Sequence, residues 1–375
     1  MVNHSQTAAE RQSNPCPYPD ARRILEQAIA DRAFPGCAFG VLAPDGTAFS
    51  AALGSFTYDH SAPAVLAETL YDIASLTKVV ATTAVAMLLH QQGRLDLETR
   101  LGDLLPGFVV GRSTCNDPTQ SRWARQVTLR HLLAHSSGLP GYVPLFRHAS
   151  SPFELLRATL QLPIEAEPGT RAEYSDHGFI LLGKALECLL REPLAPWATR
   201  NLFTPLAMTS TRFCPLLTQR MAIPPTEEDH TLRFRTLQGE VQDEHAFLLH
   251  GAAGHAGLFS TVPDLIRFAR AILHPEDVPL FHPPTIALFA DRQPPFGSSR
   301  ALGWDTPSAP SSSGTRFSPR SIGHLGFSGC SLWIDLEARV AVVLLTNRTW
   351  PDRSTDAIRS VRPAFHDAIR SVLSP

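Results

Sequence analysis

The sequence predicts an α+β protein: an antiparallel sheet flanked by helices, built from both ends of the chain, with a mainly helical lobe inserted between them. Two observations carry that expectation. Apolar β-type runs joined by turn chemistry occur near each terminus, and the stretch from about 75 to 234 is rich in helix signals and prolines. A third supports it: 375 residues form one large two-lobed unit or two domains, long enough to bury a substantial core without disulfides or metals.

In chain order, residues 1–19 are polar and proline-bearing and read as a flexible tail. From Asp20 to about Ala33, the spacing of Ile24, Leu25, Ala28 and Ile29 fits one face of a helix. The runs CAFGVLA (37–43) and TAFSAAL (47–53) follow, joined by Pro44-Asp45-Gly46. Asp-Gly readily takes positive φ, so this reads as a hairpin. A second hairpin pairs SLWID (331–335) with RVAVVLLTN (339–347), and a helix-like stretch runs from about Ser354 to Val372. The expected division is 20–74 with 235–375 as the sheet lobe, and 75–234 as the helical lobe. Pro307–Pro319, with five serines, reads as a flexible loop.

Composition excludes several functions. With 33 basic and 35 acidic residues the net charge is −2, so nothing drives binding to a phosphate backbone, and no nucleic-acid partner is expected. No run approaches the ~18 apolar residues of a membrane span, and no signal-peptide pattern opens the chain. The six cysteines, at 16, 37, 115, 188, 214 and 330, lack CxxC spacing, which suits reduced thiols. The expectation is a soluble, cytoplasmic protein with no membrane partner. Oligomeric state is not legible.

The sharpest chemical signal is Ser75-Leu76-Thr77-Lys78, running into the apolar stretch before Gly93, which reads as a buried helix ended by a glycine cap. At i and i+3 on a helix, the hydroxyl and amine share a face. The helix N-terminus and burial both disfavour a charged lysine, and a neutral amine can accept the serine proton. Taken alone, a capping serine with a lysine reaching solvent is the plainer reading. Tyr174 and Asp176 stand in a loop before the apolar run GFILLGKALECLL. A tyrosine near an ammonium can have a lowered pKa and carry protons. Gly323-His324-Leu325-Gly326-Phe327 precedes the second hairpin, where glycines let backbone N–H groups approach a developing oxyanion.

Together and in this order, SxxK, YxD and HxG resemble the serine β-lactamase-like family: class C β-lactamases, D-Ala-D-Ala peptidases and related esterases. VTLRHLLAHSSGLPGY (127–142), GHAGLFSTVPDLIRFA (254–269) and SLWIDLEARVAVVLLTNR (331–348) add to the likeness, which spans about residues 20–372 and is nearest to penicillin-binding-protein-4B-like serine hydrolases. The resemblance implies a β-lactamase/transpeptidase-like fold and a serine hydrolase working through an acyl-enzyme. Ser75 would be the nucleophile, Lys78 its proton acceptor, and Tyr174 the tyrosine of the YxN motif. His324-Leu325-Gly326 would match the Lys-Thr-Gly strand, and the N–H groups of Ser75 and Phe327 the oxyanion hole. No metal or other cofactor is implied.

Departures narrow the substrate. Asp176 replaces the family's Asn, so it can pair with Lys78 and raise its pKa, or recognise a substrate amine. His324 and Leu325 replace groups that would hold a carboxylate, which disfavours true β-lactamase activity and favours a small-molecule ester, amide or peptide substrate. Two other classes stand beside this: a binding or scaffold member disabled by those departures, and a zinc hydrolase. His131 and His135 lack the Glu of HExxH and read as a short helix with Thr128 as N-cap. Asp243, Glu244, His245, His250 and His255 crowd around GAAGHAG. A structural loop bordering the cleft is favoured there over zinc, with Asp243 and His255 as supports for the site.

Overall fold

The structure, a computed structural model, describes residues 16–113 and 117–373. Most of the expected tail, and Cys115, lie outside the described residues.

The central sheet has five strands: β1 (Gly36–Leu42), β2 (Ala48–Gly54), β3 (Ser321–Leu325), β4 (Ser331–Asp335) and β5 (Val340–Thr346), in spatial order β2-β1-β5-β4-β3. All neighbours are antiparallel. The two hairpins read from the sequence are therefore halves of one sheet, zipped together where Phe39 faces Leu344. The first turns where expected: Gly46 has φ +83, and Asp45 accepts from the Thr47 N–H at 2.8 Å.

Both faces of the sheet are covered, which is why β1 and β5 read as unbroken apolar runs. Because side chains alternate, Phe39, Val41, Val342 and Leu344 pack with Leu25, Phe365 and Ile369 of α1 (Pro19–Ala30) and the C-terminal helix Ile358–Leu373. Ala38, Leu42, Val343 and Leu345 face the other way, onto Val262, Leu265 and Ile266 of the helix Val262–Leu273. Each such Phe, Leu or Val contributes roughly 1.5–3 kcal/mol by leaving water. Helix α1 stops three residues earlier than expected. Arg32, at φ +59, turns the chain so that Ala33 N–H bonds Ala28 O at 2.8 Å.

A second, three-stranded sheet is formed where Leu258–Ser260 pairs with both Tyr71–Asp72 and Arg212–Phe213. The apolar stretch after Lys78 ends at Gly93 as expected, φ +68, but it does not begin as an α-helix. Ala74–Leu76 is a 3₁₀ turn and Lys78–Thr83 a π-helical stretch, before the α-helix Ala84–Gln91. Glu227–Asp229, in the stretch read as helical, is a strand that pairs with Arg235–Leu237 just beyond the expected boundary at 234. The serine-rich segment is a loop, but it is pinned: Thr315 and Arg316 N–H bond Asp367 Oδ1, and Ser312 O meets His366 Nδ1 at 2.8 Å.

Candidate active site

Ser75 follows directly on the Tyr71–Asp72 strand, in a turn that is strained and held. Ala74 sits at φ +47, a region costly for a residue with a Cβ. Asp72 accepts from the Ala74 N–H with one carboxylate oxygen and from the Gln242 N–H with the other, each at 2.8 Å. Burial nonetheless pushes its carboxyl up to about 6 against those bonds. Thr77 Oγ1 donates to Ala74 O and accepts from Leu258 N–H. The serine is thereby fixed at the floor of a cleft of about 680 Å³.

Lys78 has no exposed surface. Its three ammonium N–H groups meet three acceptors: Asp176 Oδ1 at 2.6 Å, Ser75 Oγ at 3.0 Å and His255 O at 3.1 Å. Desolvation alone would lower its pKa, but Asp176 and the Tyr174 phenol outweigh burial and hold it above the usual lysine range. This corrects the expectation of a lysine depressed by burial and a helix terminus. The alternative reading, in which Asp176 pairs with Lys78, is the one observed.

Tyr174 OH donates to Ser75 Oγ at 2.8 Å. Burial raises its pKa, with Lys78 pulling the other way, so the phenol is neutral; the expected lowering is not observed. The loop that carries Tyr174 is braced by His135. His135 O accepts from Glu173 N–H, His135 Nδ1 accepts from Ser175 N–H, and its ring lies 4.7 Å from the Tyr174 ring. Ser175 then caps the helix Asp176–Leu190, accepting from Gly178 N–H at 3.1 Å, and that places Asp176 in the first turn, where an anion is favoured. The His255 carbonyl reaches Lys78 because this helix and the 254–257 loop touch backbone to backbone. A Cβ on Gly254 would lie 2.2 Å from Phe179 O and 2.9 Å from Gly183 Cα.

The opposite wall is the turn after β3. His324 is buried and neutral, held well below its usual pKa by desolvation and then by Lys78 and Arg300, with Nδ1 2.8 Å from Leu325 O. Gly326 lies against Ile73 O, and a Cβ there would approach to 2.6 Å. The Phe327 N–H makes no hydrogen bond to another described residue. Arg362, from the C-terminal helix, donates to Gly326 O at 2.7 Å and Cys330 O at 2.8 Å. With carbonyls as its partners and little water, its pKa is lowered to about 10.

The structure thus brings Ser75, Lys78, Tyr174 and Asp176 into one hydrogen-bonded group, with His324, Gly326 and Phe327 beside it. His131 and His135 do not converge on a common centre: His131 Nδ1 accepts from Thr128 N–H in the helix cap, and His135 braces Tyr174. The sequence did not single out Arg300, Arg348 and Arg359, which line the cleft, or Arg362. They are scattered among 33 basic residues with no motif to mark them.

A sequence model of the Beta-lactamase family matches residues 21–363. The "Putative D-alanyl-D-alanine carboxypeptidase" of Escherichia coli (strain K12) is 30% identical over 306 residues, covering 75% of this chain and 69% of its own. The N-acetylmuramyl-L-alanine amidase of Bacillus subtilis (strain 168) is 29% identical, covering 87% and 80%. Among solved structures, EstCE1, a hydrolase with promiscuous acyltransferase activity, superimposes with a TM-score of 0.73 at 21% identity, covering 94% and 98%. That likeness concerns the fold.

Proposed function

This chain belongs to the Beta-lactamase family and is a serine hydrolase, and from that premise we propose that Ser75 is acylated by an ester or amide and released by water. The observation that carries the assignment is the convergence of Lys78 Nζ and Tyr174 OH on one serine oxygen in the cleft floor. In the resting state Ser75 Oγ accepts from both groups. The Lys78–Tyr174 pair must lose one proton before it can take the serine's, and because both pKa values are raised, this reactive form gains population as pH rises. Attack by Ser75 Oγ on the acyl carbon then passes the serine proton to that pair. Tyr174 returns it to the leaving oxygen or nitrogen, and the same pair activates water for deacylation.

The carbonyl oxygen would be received by the Ser75 and Phe327 N–H groups, with Arg362 holding the turn that presents the second. A neutral His324 offers no cation where the family's strand motif has a lysine, so a substrate carboxylate would be met instead by the arginines lining the cleft, Arg300, Arg348 and Arg359. The names of the two curated relatives support wall-peptide fragments as the amide class. The intact group around Ser75 favours turnover over a binding-only protein. Among the described residues no helix is long and apolar enough to cross a membrane. The five described cysteines are free, which supports a reducing, cytoplasmic setting.

Incubation with a p-nitrophenyl short-chain ester tests the assignment. The expected result is a burst of nitrophenol with one acyl adduct on Ser75 by mass spectrometry, both absent in Ser75→Ala. Hydrolysis that survives Ser75→Ala, or an adduct elsewhere, would overturn it.

A further inference from the structure

Buried polar groups in folded proteins find partners, so a sealed histidine without any calls for an occupant. His245 has no exposed surface, and neither of its ring nitrogens has a hydrogen-bond partner among the described residues. His177 and His255 stand around it, with ring centroids 5.3 and 6.4 Å away, and the Nδ1 of each is also unpartnered. The Asp243 carboxylate closes the group. It accepts from His255 Nε2 at 2.7 Å and from Ala246 N–H at 2.8 Å. Ligand atoms of Asp243, His245 and His255 all lie within 4.8 Å of one another.

We propose that Asp243, His245 and His255 bind one divalent transition-metal ion of the zinc class. Two imidazoles and a carboxylate form a donor set that such ions favour, and an ion supplies the positive partner that the His245 lone pair lacks. Zinc bonds of about 2.0–2.1 Å in a tetrahedron place donor atoms roughly 3.3–3.4 Å apart. The Asp243–His255 contact must open by several tenths of an ångström, and the wider pairs must close, both by side-chain rotation. Binding through Nε2 needs the His255 tautomer that carries its proton on Nδ1, the ring nitrogen that has no partner among the described residues. His177 takes a different part: its Nε2 accepts from Val143 N–H, so its Nδ1 carries the proton and donates toward a water in the remaining position. Asp243, with 23% of its side chain exposed, lies on the cleft wall and provides the entry path. The site adjoins the catalytic group through the His255 carbonyl on Lys78 but contains none of its side chains, and it stands independently of the acyl-enzyme reading.

Chelator-stripped, tag-free full-length protein is titrated with Co²⁺ and then with Zn²⁺, following visible absorption and melting temperature. Expected are one Co²⁺ per chain with an intense visible spectrum, displacement by Zn²⁺, and a higher melting temperature with either ion. Binding should weaken by at least about tenfold in His245→Phe. Metal-free melting checks the fold of that variant, and His245→Gln is read in its place if it fails. No stoichiometric uptake by the wild type, as expected if water alone fills the site, overturns the proposal. So does uptake that the His245 variants leave unchanged.

Discussion

Replacing Asp176 with asparagine should move the pH dependence of acyl transfer, because this carboxylate holds Lys78 above its ordinary pKa. Lys78 Nζ lies 2.6 Å from Asp176 Oδ1, with no exposed side chain on the lysine and 18% exposure on the aspartate. Two unit charges at that separation attract by about 6 kcal/mol in a medium of dielectric ~20 and by about 1.6 kcal/mol in water. The site lies between these limits. An opposite charge this close ordinarily shifts a pKa by roughly one to three units, or about 1.4–4 kcal/mol. Asparagine keeps an oxygen for the lysine N–H, so the geometry survives while the charge goes. The reactive form is the one in which the Lys78–Tyr174 pair has lost a proton. Removing the anion makes that loss easier, so the rising limb of kcat/KM should move to lower pH by roughly one to three units. The assay is kcat/KM for p-nitrophenyl acetate in wild type and Asp176→Asn, followed from about pH 6 to 11 and corrected for spontaneous hydrolysis. A limb that stays in place, or moves upward, refutes the reasoning. The sign for stability is the reverse. A folded pKa above the unfolded ~10.4 favours the folded state below that value, and the contribution is lost as pH rises through the folded value, so Asp176→Asn should melt lower at neutral pH.

Three further outcomes follow from particular contacts. Tyr174→Phe should cut kcat by about 10²–10⁴ with an almost unchanged melting temperature, since the ring keeps its place on His135 and only the proton carrier is lost. Gly254→Ala should cost about 1–3 kcal/mol in urea unfolding and lower kcat, because the new Cβ drives the loop from Phe179 O and takes the His255 carbonyl from Lys78. Acid should destabilise the fold. His177 and His366, lowered by burial to about 4, exclude protons that the unfolded chain binds from about 6.5, so each costs about 3 kcal/mol as pH falls from 6.5 to 4. Asp72, raised by burial to about 6, works in the opposite sense by about 3 kcal/mol, so these three groups together leave a loss of about 3 kcal/mol, and urea melts at pH 7 and pH 4 should show a loss at least that large.

Much of this protein is local and was legible in the chain alone. The Asp45-Gly46 turn, the two hairpins, the Gly93 stop and the SxxK spacing depend on neighbours within a few residues, so apolar runs and turn chemistry reveal them. The order of the SxxK, YxD and HxG segments was also enough to name the family and the residues around Ser75. What stayed hidden is electrostatic and long-range. Whether Lys78 rests charged depends on Asp176, 98 positions away, and on a carbonyl 177 positions away that two close-packed glycines deliver. Tyr174 stays neutral because the fold desolvates it more than the ammonium stabilises its anion. His245 is one histidine among 15 in the sequence and becomes distinctive only when packing seals it from water beside Asp243 and His255. Residue types and spacing thus select the reacting groups, while desolvation and distant charges set their protonation, and only tertiary packing supplies those.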